Sequence, residues 1–157
     1  MIFTENHHFV KGLDPIADAF AGTVRSDVVN MKNYHKATFV VFCGVGLVGT
    51  SVITVNACPD VTPSARSAVP FHYREITTGD TPGTLTAALA AGYTSTAGSS
   101  KIIVVEVDSQ ALAQDGNDYE YVELNMVESA VGAVLGGILV ILSEPRYAQN
   151  IQATAIV

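Results

Sequence analysis

Apolar residues recur along this chain in short runs of strand character, separated by clusters of Gly, Pro, Asn and Asp. Lys36–Cys43 is β-branched and aromatic, which suits a pleated, half-buried surface. Ser51–Cys58 alternates, with Ile53, Val55 and Ala57 on one face and Thr54 and Asn56 on the other. In Ala68–Ile76, Phe71 and Tyr73 point one way, His72 and Arg74 the other, and Pro70 marks a strand start or an edge. Lys101–Asp108 is apolar on both faces, the mark of a central strand. Tyr119–Met126 sets Val122, Leu124 and Met126 on one face, while Tyr119 and Tyr121 break the phase and predict a bulge near Tyr121. In Ala130–Leu142 the pair Gly136-Gly137 and its β-branched neighbours exclude a buried helix and predict one long strand or two. Strands are thus expected near 37–43, 51–57, 69–75, 101–108, 118–126 and 131–142. That count predicts an all-β fold, a small antiparallel β-sandwich or barrel of jelly-roll-like character.

Helical spacing is confined to two short pieces. Ile16–Ala21 has room for one turn ended by Gly22, and Leu85–Ala91 for two turns closed by Gly92. Residues 1–35 have no clean period and read as an extended N-terminal arm ahead of a β-rich domain over 36–148 and an extended C-terminal tail over 149–157. The arm carries Ile2, Phe3, Phe9, Val10, Leu13, Ile16 and Phe20. A free tail has no use for such side chains, so the arm is expected to dock, on its own domain or on a neighbour.

Gly44-Val45-Gly46-Leu47-Val48-Gly49 matches GxGxxG after a strand. The dinucleotide fingerprint needs a helix after the last glycine, because the helix N-terminus holds the pyrophosphate. Here Thr50–Val55 follows, a poor helix start and a good strand. The stretch therefore reads as a wide hairpin turn with glycines at positive φ, and a small nucleotide-binding enzyme using Gly44–Gly49 is the minor alternative. Such a hairpin sets Cys43 near Ser51 and Cys58 near Lys36, too far apart for a disulfide, so free thiols and cytosolic synthesis are expected.

Charge narrows the choices. Of 157 residues only 15% are charged and 48% are hydrophobic, and the net charge is −7. The eight Lys and Arg are scattered, so no positive stripe is available to neutralise phosphates, and nucleic acid is not an expected partner. Sparse charge with high apolar content suggests surface covered by partners. The longest apolar run, Ala130–Leu142, falls short of the ~20 residues a spanning helix needs, and no secretory leader is visible, so no membrane partner is expected. His7-His8 are adjacent, with His35 and His72 far off in sequence, and no metal-ligand spacing is present. Cys43 has no local base to lower its pKa. Asp108, Asp115, Asp118, Glu120 and Glu123 lack calcium-loop spacing and read as a solvated acidic face. Glu106 and Asp108 share a strand face, but no sugar-binding Trp accompanies them. With no GxSxG and no P-loop, no catalytic residue, cofactor or metal is expected, and the chain is not expected to be an enzyme.

Three segments in order carry a resemblance. They are Thr23–Val41 with its MKNY phrase, Val69–Tyr73 followed by an acidic turn at Asp80, and Ala130–Ala148 ending in ILSEPRYA. Together they resemble small auxiliary capsid proteins of tailed bacteriophages, the head cement or decoration proteins. The resemblance covers about Thr23 to Ala148 and implies a non-enzymatic virion protein on the capsid exterior. It implies binding to the major capsid protein and to copies of itself, commonly as a homotrimer on threefold or quasi-threefold positions, made in the cytoplasm of a host bacterium. Another structural component, a tail or neck protein, is the alternative. Interface energy concentrates in aromatic and apolar anchors, so Phe9, Phe20, Met31 and Tyr34, in or beside the arm, are the candidate capsid or oligomer contacts.

Overall fold

The computed structural model describes residues 2–77, 79–147 and 155–156, leaving aside the side chains of 114 and 115. One helical turn, α1 (Phe3–Asn6), precedes twelve strands. These are β1 (His8–Ile16), β2 (Thr23–Arg25), β3 (Val29–Asn30), β4 (Tyr34–Gly46), β5 (Thr50–Cys58) and β6 (Ser67–Val69), then β7 (Phe71–Ile76), β8 (Thr86–Ala88), β9 (Tyr93–Thr94), β10 (Lys101–Asp108), β11 (Tyr121–Ala130) and β12 (Val134–Pro145). A 3₁₀ segment, Ser109–Gly116, joins β10 to β11. Among the described residues no helix is long and apolar enough to cross a membrane.

The strands form two antiparallel sheets packed as a sandwich. Sheet 1 has the order β1-β12-β4-β10-β7-β8. Sheet 2 has the order β2-β11-β5-β6, with β3 also on β11 and β9 also on β5. The period of two decides what fills the space between them. Phe39 and Val41 of β4, Ile103 and Val105 of β10, and Val140 and Leu142 of β12 face Ile53 and Val55 of β5 and Val122, Leu124 and Met126 of β11. The six expected strands are all present, and β10 is central as read, between β4 and β7.

Four expectations are corrected. β4 and β5 are not a hairpin: β4 pairs with β12 and β10, whereas β5 pairs with β11, β6 and β9. Their apolar faces meet across the core instead of lying side by side in one sheet. Leu85–Ala91 is not helical; Ala88 pairs with Phe71 as part of β8, so an open sheet edge overrides alanine's helix preference. Ile16–Ala21 is the end of β1 and a turn, with Asp18 at φ 54 and Gly22 at φ 65. The bulge in β11 lies between Glu128 and Ala130, not near Tyr121, because the strand starts at Tyr121 and Tyr119 precedes it.

The arm is part of the sandwich. β1 runs along β12 from His8↔Leu142 to Ile16↔Gly136, and β2 and β3 run along β11. Of the C-terminal tail, Ala155 is buried and its carbonyl accepts from the Asn30 amide at 2.7 Å; residues 149–154 and 157 lie outside the described residues.

Candidate interaction surface

The glycine stretch is one of two side-by-side crossovers at one end of the sandwich. Residues 47–49 carry the chain from β4 in sheet 1 to β5 in sheet 2, and residues 131–133 carry it from β11 back to β12. The two backbones touch. A Cβ on Gly46 would stand 2.4 Å from the Ala133 carbonyl oxygen, and one on Gly132 would stand 2.5 Å from that of Val48. Gly44, Gly46 and Gly49 are absent from the positive-φ glycines, so close backbone approach, not a left-handed turn, is what requires them. The last glycine leads into strand β5 and offers no helix N-terminus to a pyrophosphate. The crossovers push apolar side chains into solvent: Val131 is 89% exposed and Val45 80%, with Leu47 and Val48 beside them. We refer to this group as the tip.

From the tip, apolar surface continues over the outer face of sheet 1. The ladder pairings place outward residues in rows: Ile76, Ile102, Phe42 and Gly137, then Arg74, Val104, Val40, Leu139 and Lys11. A third row holds His72, Glu106, Thr38, Ile141 and Phe9. Phe42, 57% exposed, stands between two shallow hollows. One, of about 480 Å³, is lined by Leu13, Pro15, Val40, Leu135, Gly137 and Leu139. The other, of about 440 Å³, is lined by Gly44, Val45, Ile76 and Ile102. Gly136 and Gly137 make this relief possible. Gly136 faces inward, where a Cβ would meet the Phe20 ring at 2.5 Å; Gly137 faces outward, under the Leu13 carbonyl at 3.0 Å.

The candidate contacts are not brought together on this surface. Phe20, Met31 and Tyr34 are core side chains, whereas Phe9 is exposed in the third row. Phe9 sits beside Phe3, whose ring stacks on His7 with centroids 3.8 Å apart. Sequence reasoning missed Phe42, Leu139 and the tip. Phe42 and Val40 alternate with Phe39 and Val41 in an all-apolar run, so nothing local says which side faces out.

The remaining polar groups are structural. Glu123, 1% exposed, accepts from Arg66 Nε at 2.7 Å and Asn56 Nδ2 at 3.1 Å, with Arg25 Nε at 3.6 Å. Inside the opposite end of sheet 1, buried Lys101 pairs with Glu75 at 3.5 Å. Lys101 also donates to the Thr96 carbonyl and Glu75 accepts from the Thr96 amide and hydroxyl, which clamps the loop before β10. Burial, then Glu75, pushes the Tyr93 phenol up. Burial pushes the Cys43 thiol up to about 11 and the Cys58 thiol, also beside Glu123, up to about 12. Both cysteines are free and stay protonated at neutral pH. His8 Nδ1 lies 3.2 Å from the Tyr34 hydroxyl, and burial holds its pKa below the usual range. Among the described residues no group of three His, Cys, Asp or Glu is placed to hold a metal.

No protein-family model and no curated protein matches this chain. Among solved structures it is similar to the SPBc2 prophage-derived protein YomS, at 9% identity and a TM-score of 0.48, covering 88% of this chain and 94% of that one. It is also similar to structures of infectious bursal disease virus, Gt strain at 12% identity and Gx strain at 13%. Each covers 88% of this chain and 42% of the viral chain, at a TM-score of 0.24. Likenesses this distant say nothing of what the chain binds.

Proposed function

We propose that this chain is a structural virion protein of a tailed phage, a cement protein that caps the capsid exterior at threefold or quasi-threefold positions and stabilises the shell without chemistry of its own. The observation that carries the reading is the tip. Four aliphatic side chains, Val45, Leu47, Val48 and Val131, protrude together on a support that glycine contacts hold in shape. A protruding apolar group in water has no value to a lone chain; inserted between the subunits of a shell it is a ready anchor. The partner in this reading is the major capsid protein. The acidic balance of −7 suits a shell exterior and not contact with packaged DNA. The phage resemblance of the MKNY and ILSEPRYA segments supports the same assignment.

A cap that binds the assembled shell alone stabilises it by mass action, by about 2.7 kcal/mol per site at a hundredfold excess over its Kd. The test strips the protein from virions, adds it back, and measures the temperature of DNA release. Release is expected at a lower temperature without the protein, restored by the natural chain and not by Leu47→Asp. An unchanged release temperature removes the cementing role. Electron microscopy of the same particles showing the protein on the tail or neck would move it to the alternative class.

A further inference from the structure

We infer that the outer face of sheet 1 is a self-association face, and that two copies of this chain pack it sheet on sheet about a twofold axis. Three observations support this. The relief is self-complementary: Phe42 projects between two hollows, and a twofold axis between β4 and β12 sets Phe42 of each copy over the partner's hollow above Gly137. A knob beside a hole of fitting chemistry is what an isologous contact needs, since the same patch serves both subunits. The charges agree as well. The first two outward rows hold no carboxylate, although the chain has 15 Asp and Glu, so the centre of the face carries none of the net −7, and Glu106 lies in the third row at its margin. Arg74 lies at the β7 side of the face and, among the described residues, has no ion-pair partner, while Asp14, beside Lys11 at 2.9 Å, lies at the β1 side. The same axis reverses strand order between the copies and carries each Arg74 to the β1 edge of the other, where Lys11 of the same row already holds Asp14.

The size of the face sets the strength. Five strands at about 4.8 Å spacing and three side-chain rows give a footprint on the order of 400 Å². A standard interface buries about 800 Å² per partner, so the pair is a weak one that forms as concentration rises. Of the tip, Val45 borders this face, while Leu47, Val48 and Val131 belong to the crossovers beyond it. The inference therefore does not depend on capsid binding, and it differs from the threefold grouping that the phage resemblance implies.

Sedimentation equilibrium of the purified 157-residue chain over a range of concentrations tests it. A monomer–dimer equilibrium is expected. Phe42→Glu, and separately Leu139→Glu, should raise the Kd at least about thirtyfold, the effect of losing a hot-spot residue. Leu47→Asp at the tip should leave the Kd unchanged. Circular dichroism of each variant confirms that it is folded. A chain that stays monomeric across the range, one that forms trimers, or a dimer indifferent to both Phe42→Glu and Leu139→Glu overturns the inference.

Discussion

The two sheets of this sandwich are alike inside and opposite outside. The outer face of sheet 2 carries Glu123 across from Asn56 and Asn125 across from Thr54, and Arg66 and Arg25 close over the buried carboxylate. Most of these polar groups are answered within the chain; Asn125 donates to Thr54, and its Oδ1 is left without a partner among the described residues. The outer face of sheet 1 carries Ile102, Phe42, Leu139 and Val40, and nothing in the described chain covers them. A sheet whose exterior is internally satisfied is a finished surface. One whose exterior is apolar and uncovered is half of an interface. In the assembly proposed above, sheet 1 and the tip make the contacts and sheet 2 faces water.

This contrast can be broken or sharpened by substitution. The largest effect is expected on sheet 2. Arg66→Ala leaves the Glu123 carboxylate buried with the neutral Asn56 amide and the more distant Arg25, and frees the loop that Arg66 ties through the Pro63 carbonyl. It should lower unfolding free energy by about 3 kcal/mol in urea titration, since a buried charge loses its main partner. A loss under about 0.5 kcal/mol, the range of an ordinary surface change, would show that the cluster does not hold that face.

Next comes Gly136→Ala, whose Cβ would meet both the Phe20 ring at 2.5 Å and the Phe42 carbonyl oxygen at 2.6 Å. Overpacking against backbone should cost about 2 kcal/mol by the same titration. The neighbouring Gly137→Ala, 3.0 Å from the Leu13 carbonyl, should cost less.

A smaller effect belongs to His8, whose pKa is lowered by burial. The unfolded chain then binds more protons than the folded one as pH falls below the ordinary value of 6.5, so stability falls with pH in that window. His8→Gln should flatten the decline of Tm between about pH 7 and pH 5, the range in which an unperturbed His gains its charge. An unchanged slope would assign the decline to other groups.

The smallest effect is expected on the open face. Phe42→Thr exchanges one strand-favouring residue for another, β-branched one at an exposed site and should change stability by under about 0.5 kcal/mol while reducing self-association. If it unfolds the chain, Phe42 is a core residue and the contrast between the faces fails.

How much of this was legible in the sequence follows from the range of the forces. Strand alternation is local, so Ile53, Val55 and Ala57 against Thr54 and Asn56, and Val122, Leu124 and Met126, could be read directly, and with them the all-β class. The cysteines, too, are free as expected. Which sheet a strand joins is not local. Gly44–Gly49 has the composition of a hairpin turn, and only the pairing of β4 with β12 and of β5 with β11 turns it into a crossover. The arm carried apolar residues without a period because β1 bulges twice along β12 and Phe20 inserts from a turn onto Gly136. Phe20, Met31 and Tyr34 were sound as buried anchors, yet they anchor this chain's own core. A run apolar on both sides, such as Phe39-Val40-Val41-Phe42, carries no signal for its inward half, since hydrophobic burial is non-directional. The second sheet selected Phe39 and Val41 for the core and left Val40 and Phe42 outside, and only that packing decided which of them meet the surface.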